Sequence, residues 1–340
     1  MRGLIFCLIS IAALGALTEA QALEREDSSS ATATIVRVDP RFDKLVPNNS
    51  KLEKIADAFT WVEGPVWNRE GRYLLFSHIP ANAVYKWKEG EGVSLFLKPS
   101  GYLGTTPFSG AEPGSNGLTL AKDGRLVLCQ HGERRIASLD VGAQTIGLAE
   151  RYENQRLNSP NDLVFKSNGD LYFTDPPFGL PKNFNDFNKE LSFQGVYRLK
   201  PDGTLTLLIK DIRAPNGIAF SPDETTLYVT DVDPQRAAWL AYDVREDGTV
   251  TNGRLFADAT RWRKDPYFGP DGIKVDQQGN LFGARPGGVS VFAPDGTYLG
   301  SIQTSGPVSN LAWGDDGSTL YITGGSSVYR IRLTTKGAGY

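Results

Sequence analysis

Six times along the chain a polar residue stands just before a short apolar run. The instances are Glu63 in EGPVW, Asn116 in SNGLTL, Asn161 in PNDLVF, Asn216 in PNGIAF, Asp271 in PDGIKV and Asn310 in SNLAW, spaced by 53, 45, 55, 55 and 39 residues. Self-similarity at roughly 40–55 residues marks a propeller or a related array. Each copy continues in the same order. The apolar run leads into a tight turn rich in Gly, Asn and Asp, such as AKDGRL, KSNGDL or DQQGNL; these residues accept positive φ or cap the turn. A second run returns as LLFS, LVLC, LYFT, LYVT, LFGA and LYIT. A third follows in most copies as AVYKW, GVYRL, AYDV, VSVF and VYRI, and a fourth is readable in GVSLFL, GTLTLLI and GTYLGSI. Val, Ile, Tyr and Phe dominate, as strand packing favours. The pattern predicts an all-β fold, a six-bladed β-propeller with four antiparallel strands per blade.

The two ends of the repeat complement each other. After the third strand of the last copy, at Val328–Leu333, only the short tail TTKGAGY follows, so the last copy is expected to lack a fourth strand of its own. KLEKIADAF (51–59) precedes the first copy where a fourth strand belongs. This N-terminal segment is expected to complete the last blade, closing the ring and removing an exposed sheet edge. Further upstream, Arg2 precedes an apolar run from Leu4 to Leu17 that ends in Ala20-Gln21-Ala22. That run reads as a secretion signal over 1–22 and is short for a membrane span of about 20 residues. Residues 23–49 read as a leader, flexible around EREDSSSAT, and 50–340 as the propeller domain. The signal implies a periplasmic or secreted protein with no membrane association after cleavage.

Strand parity places the six polar residues on one face, near the propeller axis. The loops after each second strand share that face and carry His78, His131, Asp175, Asp231 and Arg285. So do the two long insertions, 100–115 and 176–194. Long loops in compact domains are usually functional or disordered, and Phe178, Phe184, Phe187 and Phe193 make the second one apolar. Both are expected to form a pocket wall or lid.

Charge and cysteine usage narrow the partners. The net charge is −3 with no basic block, which argues against nucleic acid or an acidic membrane. Cys7 leaves with the signal, so Cys129 has no partner for an internal disulfide. Glu63, Asn161, Asn216 and Asp271 offer only oxygen donors, the preference of Ca²⁺ or Mg²⁺. With two histidines and one mature cysteine, a typical structural zinc site is hard to build. One divalent cation is expected, Ca²⁺ first, with Mg²⁺ or Zn²⁺ as alternatives. The rival explanation is that Asn-Gly and Asp-Gly are turn dipeptides, although Glu63 fits no turn rule. Asn116 and Asn310 read either as substrate contacts or as plain strand-start residues. Asp175 and Asp231 read as caps or site residues, and His131 as a rim residue or a base.

EGPVW, LLFSHIP, SNGLTL, CQHGERRI, LNSPNDLVF, YFTDPPFGL, PNGIAFSPDETTLYVTD and PDGIKVD, in that order, resemble the gluconolactonase/regucalcin (senescence marker protein) family of six-bladed propellers, over about residues 50–333. The resemblance implies a divalent cation, commonly calcium, on the axis, and hydrolysis of small sugar lactones. By position, Glu63, Asn216 and Asp271 match the family's shared metal ligands. Asn161 matches a residue that binds metal in some members and substrate in others. Ser159 stands where regucalcin-like members have Arg, and His78 where closer gluconolactonase-like sequences have Asp. The expected chemistry is water attack on a lactone carbonyl polarised by the cation, with Asp271 or His131 as base. Substrate contacts are expected from Asn116, Asn161, His131 and Asp175. A phosphotriesterase or arylesterase on the same metal, or a non-catalytic ligand-binding propeller with a structural cation, are rival readings.

Overall fold

Among the described residues, the strands of the repeat pair into six antiparallel sheets, as expected. The computed structural model describes residues 34–233, 235–263 and 268–340, so the expected signal (1–22) and the polar stretch 24–32 lie outside the described residues. Blade 1 is Val62–Asn68, Tyr73–His78, Ala83–Lys88 and Gly92–Leu97. Blade 2 is Ser115–Leu120, Leu126–Gln130, Arg135–Leu139 and Thr145–Ala149, and blade 3 is Leu163–Phe165, Leu171–Asp175, Gly195–Leu199 and Leu205–Ile209. Blade 4 comprises Pro215–Phe220, Thr226–Asp231, Ala238–Val244 and Val250–Asp258. In blade 5, Ile273–Val275 pairs with the start of Leu281–Phe292, and the second half of that segment pairs with Tyr298–Pro307. Pro286 and Gly287 (φ 81°) lie between the two halves, a sequence suited to a tight turn. Every strand pairing is antiparallel, and each innermost strand touches the next around the ring until the sixth touches the first.

The ring closes as expected. Asn310–Gly314, Thr319–Gly324 and Ser327–Arg332 form blade 6, and Leu52–Ala56 adds its outer strand, pairing Leu52 with Ile331 and Lys54 with Tyr329. The tail 334–340 forms no strand of that sheet. It packs across the opposite end, with Thr335 Oγ1 donating to Asp276 Oδ2 at 2.8 Å and the Tyr340 ring 3.7 Å from the Arg69 guanidinium.

The segment read as a leader ends earlier than expected. Ile35–Arg37 pairs with Tyr298–Pro307 as an extra outer strand on blade 5, and Phe42, Leu45 and Val46 are buried in the seam between blades 5 and 6. Part of the segment expected as leader, from Ile35 onward, therefore belongs to the propeller. No helix among the described residues is long and apolar enough to cross a membrane.

The core is six seams, not one centre. Leu75, Val84, Leu118 and Leu128 join blades 1 and 2. Cys129, Ile136, Leu163 and Phe173 join blades 2 and 3. Ile218 and Val229 meet Tyr172 and Val196 between blades 3 and 4. Trp239 packs on Ile273 and Phe292 between blades 4 and 5. Trp67 stacks on Tyr321 at 5.0 Å where blade 6 meets blade 1. Apolar burial is thus used up between blade faces, which leaves the axis to polar groups.

Candidate metal centre

The six repeat residues begin the innermost strands. Glu63, Asn116 and Asn216 are the second residues of theirs, and Asn310 is the first. Asn161 and Asp271 precede Leu163–Phe165 and Ile273–Val275 by two residues. Strand register fixes the shared end: Val62 pairs with His78, Ser115 with Gln130 and Pro215 with Asp231.

The glycine that follows four of these residues serves packing between blades and not a turn. A Cβ on Gly217 would lie 2.4 Å from the Asp271 carbonyl oxygen of the next blade, and one on Gly64 (φ 50°) 2.0 Å from that of Asn116. Only glycine lets the backbones approach so closely. Hydroxyls at the ends of second strands then brace the neighbouring blade. Ser77 Oγ donates to the Asn116 carbonyl at 2.8 Å, Thr174 Oγ1 to that of Asn216 at 2.7 Å, and Thr230 Oγ1 to that of Asp271 at 2.8 Å.

This hoop gathers three carboxylates. Glu63 is 3 % exposed, and its Oε2 accepts from Gly64 N at 2.8 Å. Asp162 is equally buried; its Oδ1 accepts from Leu163 N at 2.9 Å and its Oδ2 lies 3.4 Å from Asn310 Nδ2. Asp271 keeps partial exposure although protein encloses it on most sides. Burial pushes the Glu63 carboxyl up to about 8, and the charges of Asp162 and Glu112 add to it. Asp271 is driven well above the carboxylate range by burial first, then by Glu63, Asp162 and Glu112. The Asn310 amide opposes the shift at Glu63, and the Asn216 amide opposes it at Asp271. The Lys274 ammonium donates to the Ile273 carbonyl at 3.0 Å and faces Asn310 Oδ1 at 3.5 Å. Asn116 Oδ1 is buried with no hydrogen-bond partner.

These features fit a cation. Like charges crowded in a buried site favour the neutral forms unless a positive charge arrives, and an unpartnered buried oxygen is costly. No group of three or more His, Cys, Asp or Glu is arranged to hold a metal among the described residues. A cation here therefore depends on amide oxygens beside the carboxylates, a mixture that Ca²⁺ accepts. Of the four expected ligands, the Asn216 amide hydrogen-bonds Asp271, and the charge of Glu63 acts on Asp271. Asn161 joins the ring through its backbone, its carbonyl accepting from Gly117 N at 2.8 Å.

The rim differs from the expectation. Asp175, expected at the substrate, is fully buried, and its oxygens accept from Asn158 N at 2.8 Å and Ser159 N at 2.9 Å. It braces the loop leading to Asn161 and has no face open to a ligand. Asp231 does the same for Ala214 N at 3.0 Å. His131, expected at the substrate or as base, is also fully buried, with Nδ1 2.8 Å from Glu112 Oε2. The insertions do form a wall. Phe108 and Ser109 of the first face Leu180, Pro181 and Phe187 of the second across a cavity of about 500 Å³ beside blades 2 and 3. Phe187 itself is 83 % exposed; the apolar reading of that loop holds for Leu180 and Leu191 but not there.

Two residues of this group lie outside the sequence reading. Asp162 is the residue that replaces glycine in PNDLVF. Glu112 lies in an aperiodic insertion and gives no sequence signal.

Residues 61–326 match the family described as SMP-30/Gluconolactonase/LRE-like region. The chain is 40 % identical to a gluconolactonase of Zymomonas mobilis, over 97 % of this chain and 96 % of that one. It is 30 % identical to lactonase drp35 of Staphylococcus epidermidis, over 79 % and 75 %. Among solved structures, a gluconolactonase from Xanthomonas campestris superposes with a TM-score of 0.76 at 34 % identity, covering 88 % of this chain and 95 % of that one. Regucalcin from Agrobacterium tumefaciens, at 18 % identity and a TM-score of 0.66 over 85 % and 95 %, shares the fold. The chain is a member of the SMP-30/gluconolactonase family of six-bladed propellers.

Proposed function

We propose that this protein is a cation-dependent lactonase that opens sugar lactones, glucono-1,5-lactone foremost. The observation that carries the reading is the axial group of buried carboxylates with raised pKa and no salt-bridge partner among the described residues. The named activity of the full-length Zymomonas relative agrees with it.

Glu63, Asn161, Asn216 and Asp271 would hold one divalent cation, Ca²⁺ first and Mg²⁺ or Zn²⁺ as alternatives. When bound, the cation supplies Lewis-acid polarisation of a carbonyl oxygen. Asp271, whose residue keeps partial exposure, takes the proton of the attacking water as the new C–O bond forms and passes it to the ring oxygen as the lactone C–O bond breaks. The Asn161 amide donates to the oxygen on which negative charge builds. Asn116, with its buried oxygen unpartnered, lines the same chamber. A strained lactone makes modest demands on the base, which suits an aspartate whose basicity a nearby positive charge lowers.

A pH-indicator screen of sugar lactones tests this, using chelator-stripped protein and protein reloaded with Ca²⁺, Mg²⁺ or Zn²⁺. Turnover that disappears on stripping and returns on reloading is expected; no turnover of any lactone with any cation refutes it. Residues 1–22 are proposed to direct the protein to the periplasm or outside the cell. The mature N-terminus, read by mass spectrometry, is expected at residue 23.

A further inference from the structure

Glu112 has no part in the chemistry above, yet the structure holds it with care. The stem of its loop is tied down at both ends. Asn82 Oδ1 accepts from the backbone N–H groups of Ser100 (3.1 Å), Gly101 (2.8 Å) and Tyr102 (3.2 Å), and Asn82 Nδ2 donates to the Tyr102 carbonyl at 2.7 Å. At the other end Gly114 N donates to the Ile79 carbonyl at 3.0 Å, and Tyr102 N to that of Pro113 at 2.7 Å. Glu112 therefore leaves a fixed piece of backbone.

Its two oxygens have different surroundings. Oε2 is sealed from solvent 2.8 Å from His131 Nδ1, a close contact that lies off the direction of an aligned hydrogen bond. The side chain as a whole keeps 31 % exposure. His131 is immobilised in turn: it is fully buried, its backbone N–H donates to the Gly114 carbonyl at 3.2 Å, and its ring packs on Gly179 of the second insertion. Glu112 lies close enough to the axis for its charge to add to the upward shifts of Glu63 and Asp271. His131 directly follows the second strand of blade 2, and blade 2 stands opposite blade 5, which carries Asp271, in a six-membered ring. A substrate with its carbonyl at Asp271 would then have its far side toward blade 2, the side of His131 and Glu112.

We propose that Glu112 is a specificity-determining residue: its free carboxylate oxygen accepts hydrogen bonds from the hydroxyls of a polyhydroxylated lactone, and His131 positions it. A fixed carboxylate suits a ligand rich in O–H donors, since hydrogen bonds to a charged acceptor are about twice as strong as neutral ones. His131 thus acts through Glu112, without touching the substrate itself. The inference rests on the lactonase reading.

The test compares wild type with E112Q and H131N in the Ca²⁺-loaded enzyme, on glucono-1,5-lactone and on δ-valerolactone, which has no hydroxyls. Calcium affinity is followed by calorimetry. E112Q is expected to raise KM for the sugar lactone about tenfold to a hundredfold, with kcat within about threefold and calcium affinity unchanged; H131N shifts KM the same way by less. Any turnover of δ-valerolactone is expected to be equal in the three proteins. An unchanged KM for E112Q, or a loss confined to kcat or traced to weaker calcium binding, overturns the proposal. A wild type inactive on every lactone would instead refute the lactonase reading, so the two failures are distinguishable.

Discussion

Two sets of buried aspartate and glutamate share one end of the propeller, and the chain treats them oppositely. Asp175, buried, and Asp231, half-buried, at the ends of second strands, are acids held by backbone N–H donors. Glu63, Asp162 and Asp271, at the starts of first strands, crowd together with one backbone donor each at Glu63 and Asp162. Burial raises the carboxyl to about 7 at Asp175, about 6 at Asp231 and about 8 at Glu63. A raised carboxyl therefore does not by itself mark a site. At Asp175 the chain supplies donors to both oxygens and the residue braces a loop. At the axis like charges face each other without such a set of donors, which is the ground for the proposed cation.

Breaking the axial set should have the largest effect. At Ca²⁺ concentrations that saturate the variant, Asp271→Asn is expected to lose about 10²–10⁴ in kcat/KM on glucono-1,5-lactone, the range of a general base; full activity with the cation bound would remove that role. Breaking the braced set should act on stability instead. Asp175→Ala leaves the Asn158 and Ser159 N–H groups buried and unsatisfied, each costing about 1–3 kcal/mol, which urea unfolding would measure. Close packing between blades predicts that Gly217→Ala destabilises by about 1–3 kcal/mol through overpacking against the Asp271 carbonyl.

The sharpest contrast is one of sign. In cation-free protein Glu63→Gln is expected to raise stability at pH 8, where Asp175→Ala lowers it. The smallest effect is the pH slope of the wild type. Glu63, Asp175 and Asp231 all bind protons more tightly folded than unfolded, so their contribution is complete below about pH 4 and is lost as pH rises toward 8. Cation-free protein should therefore melt at progressively lower temperature over that window, and added Ca²⁺ should flatten the part due to Glu63. Thermal scans at fixed ionic strength would show it.

The architecture was legible because a propeller repeats its strands, and a repeat exposes even short runs such as Leu163–Phe165. What does not repeat was hidden. Ile35–Arg37 and Phe42 join the fold through seams unique to blades 5 and 6, so the leader looked longer than it is. The third and fourth strands of blade 2, Arg135–Leu139 and Thr145–Ala149, lack the aromatic pattern of the other copies. At the site, the residues in register with the repeat are brought together at one end of the ring. Asp162, one position out of register, and Glu112, in an insertion, become visible only when the ring brings distant segments together. The glycines looked like turn formers because contact between neighbouring blades cannot be read along one chain.

The central claim is that the axial carboxylates await a cation. Titrating chelator-stripped protein with Ca²⁺ in a calorimeter tests it most directly, with Asp271→Asn alongside. The account predicts one ion per chain for the wild type and a severe loss of affinity in the variant. Absence of binding, or equal binding by both proteins, would contradict it.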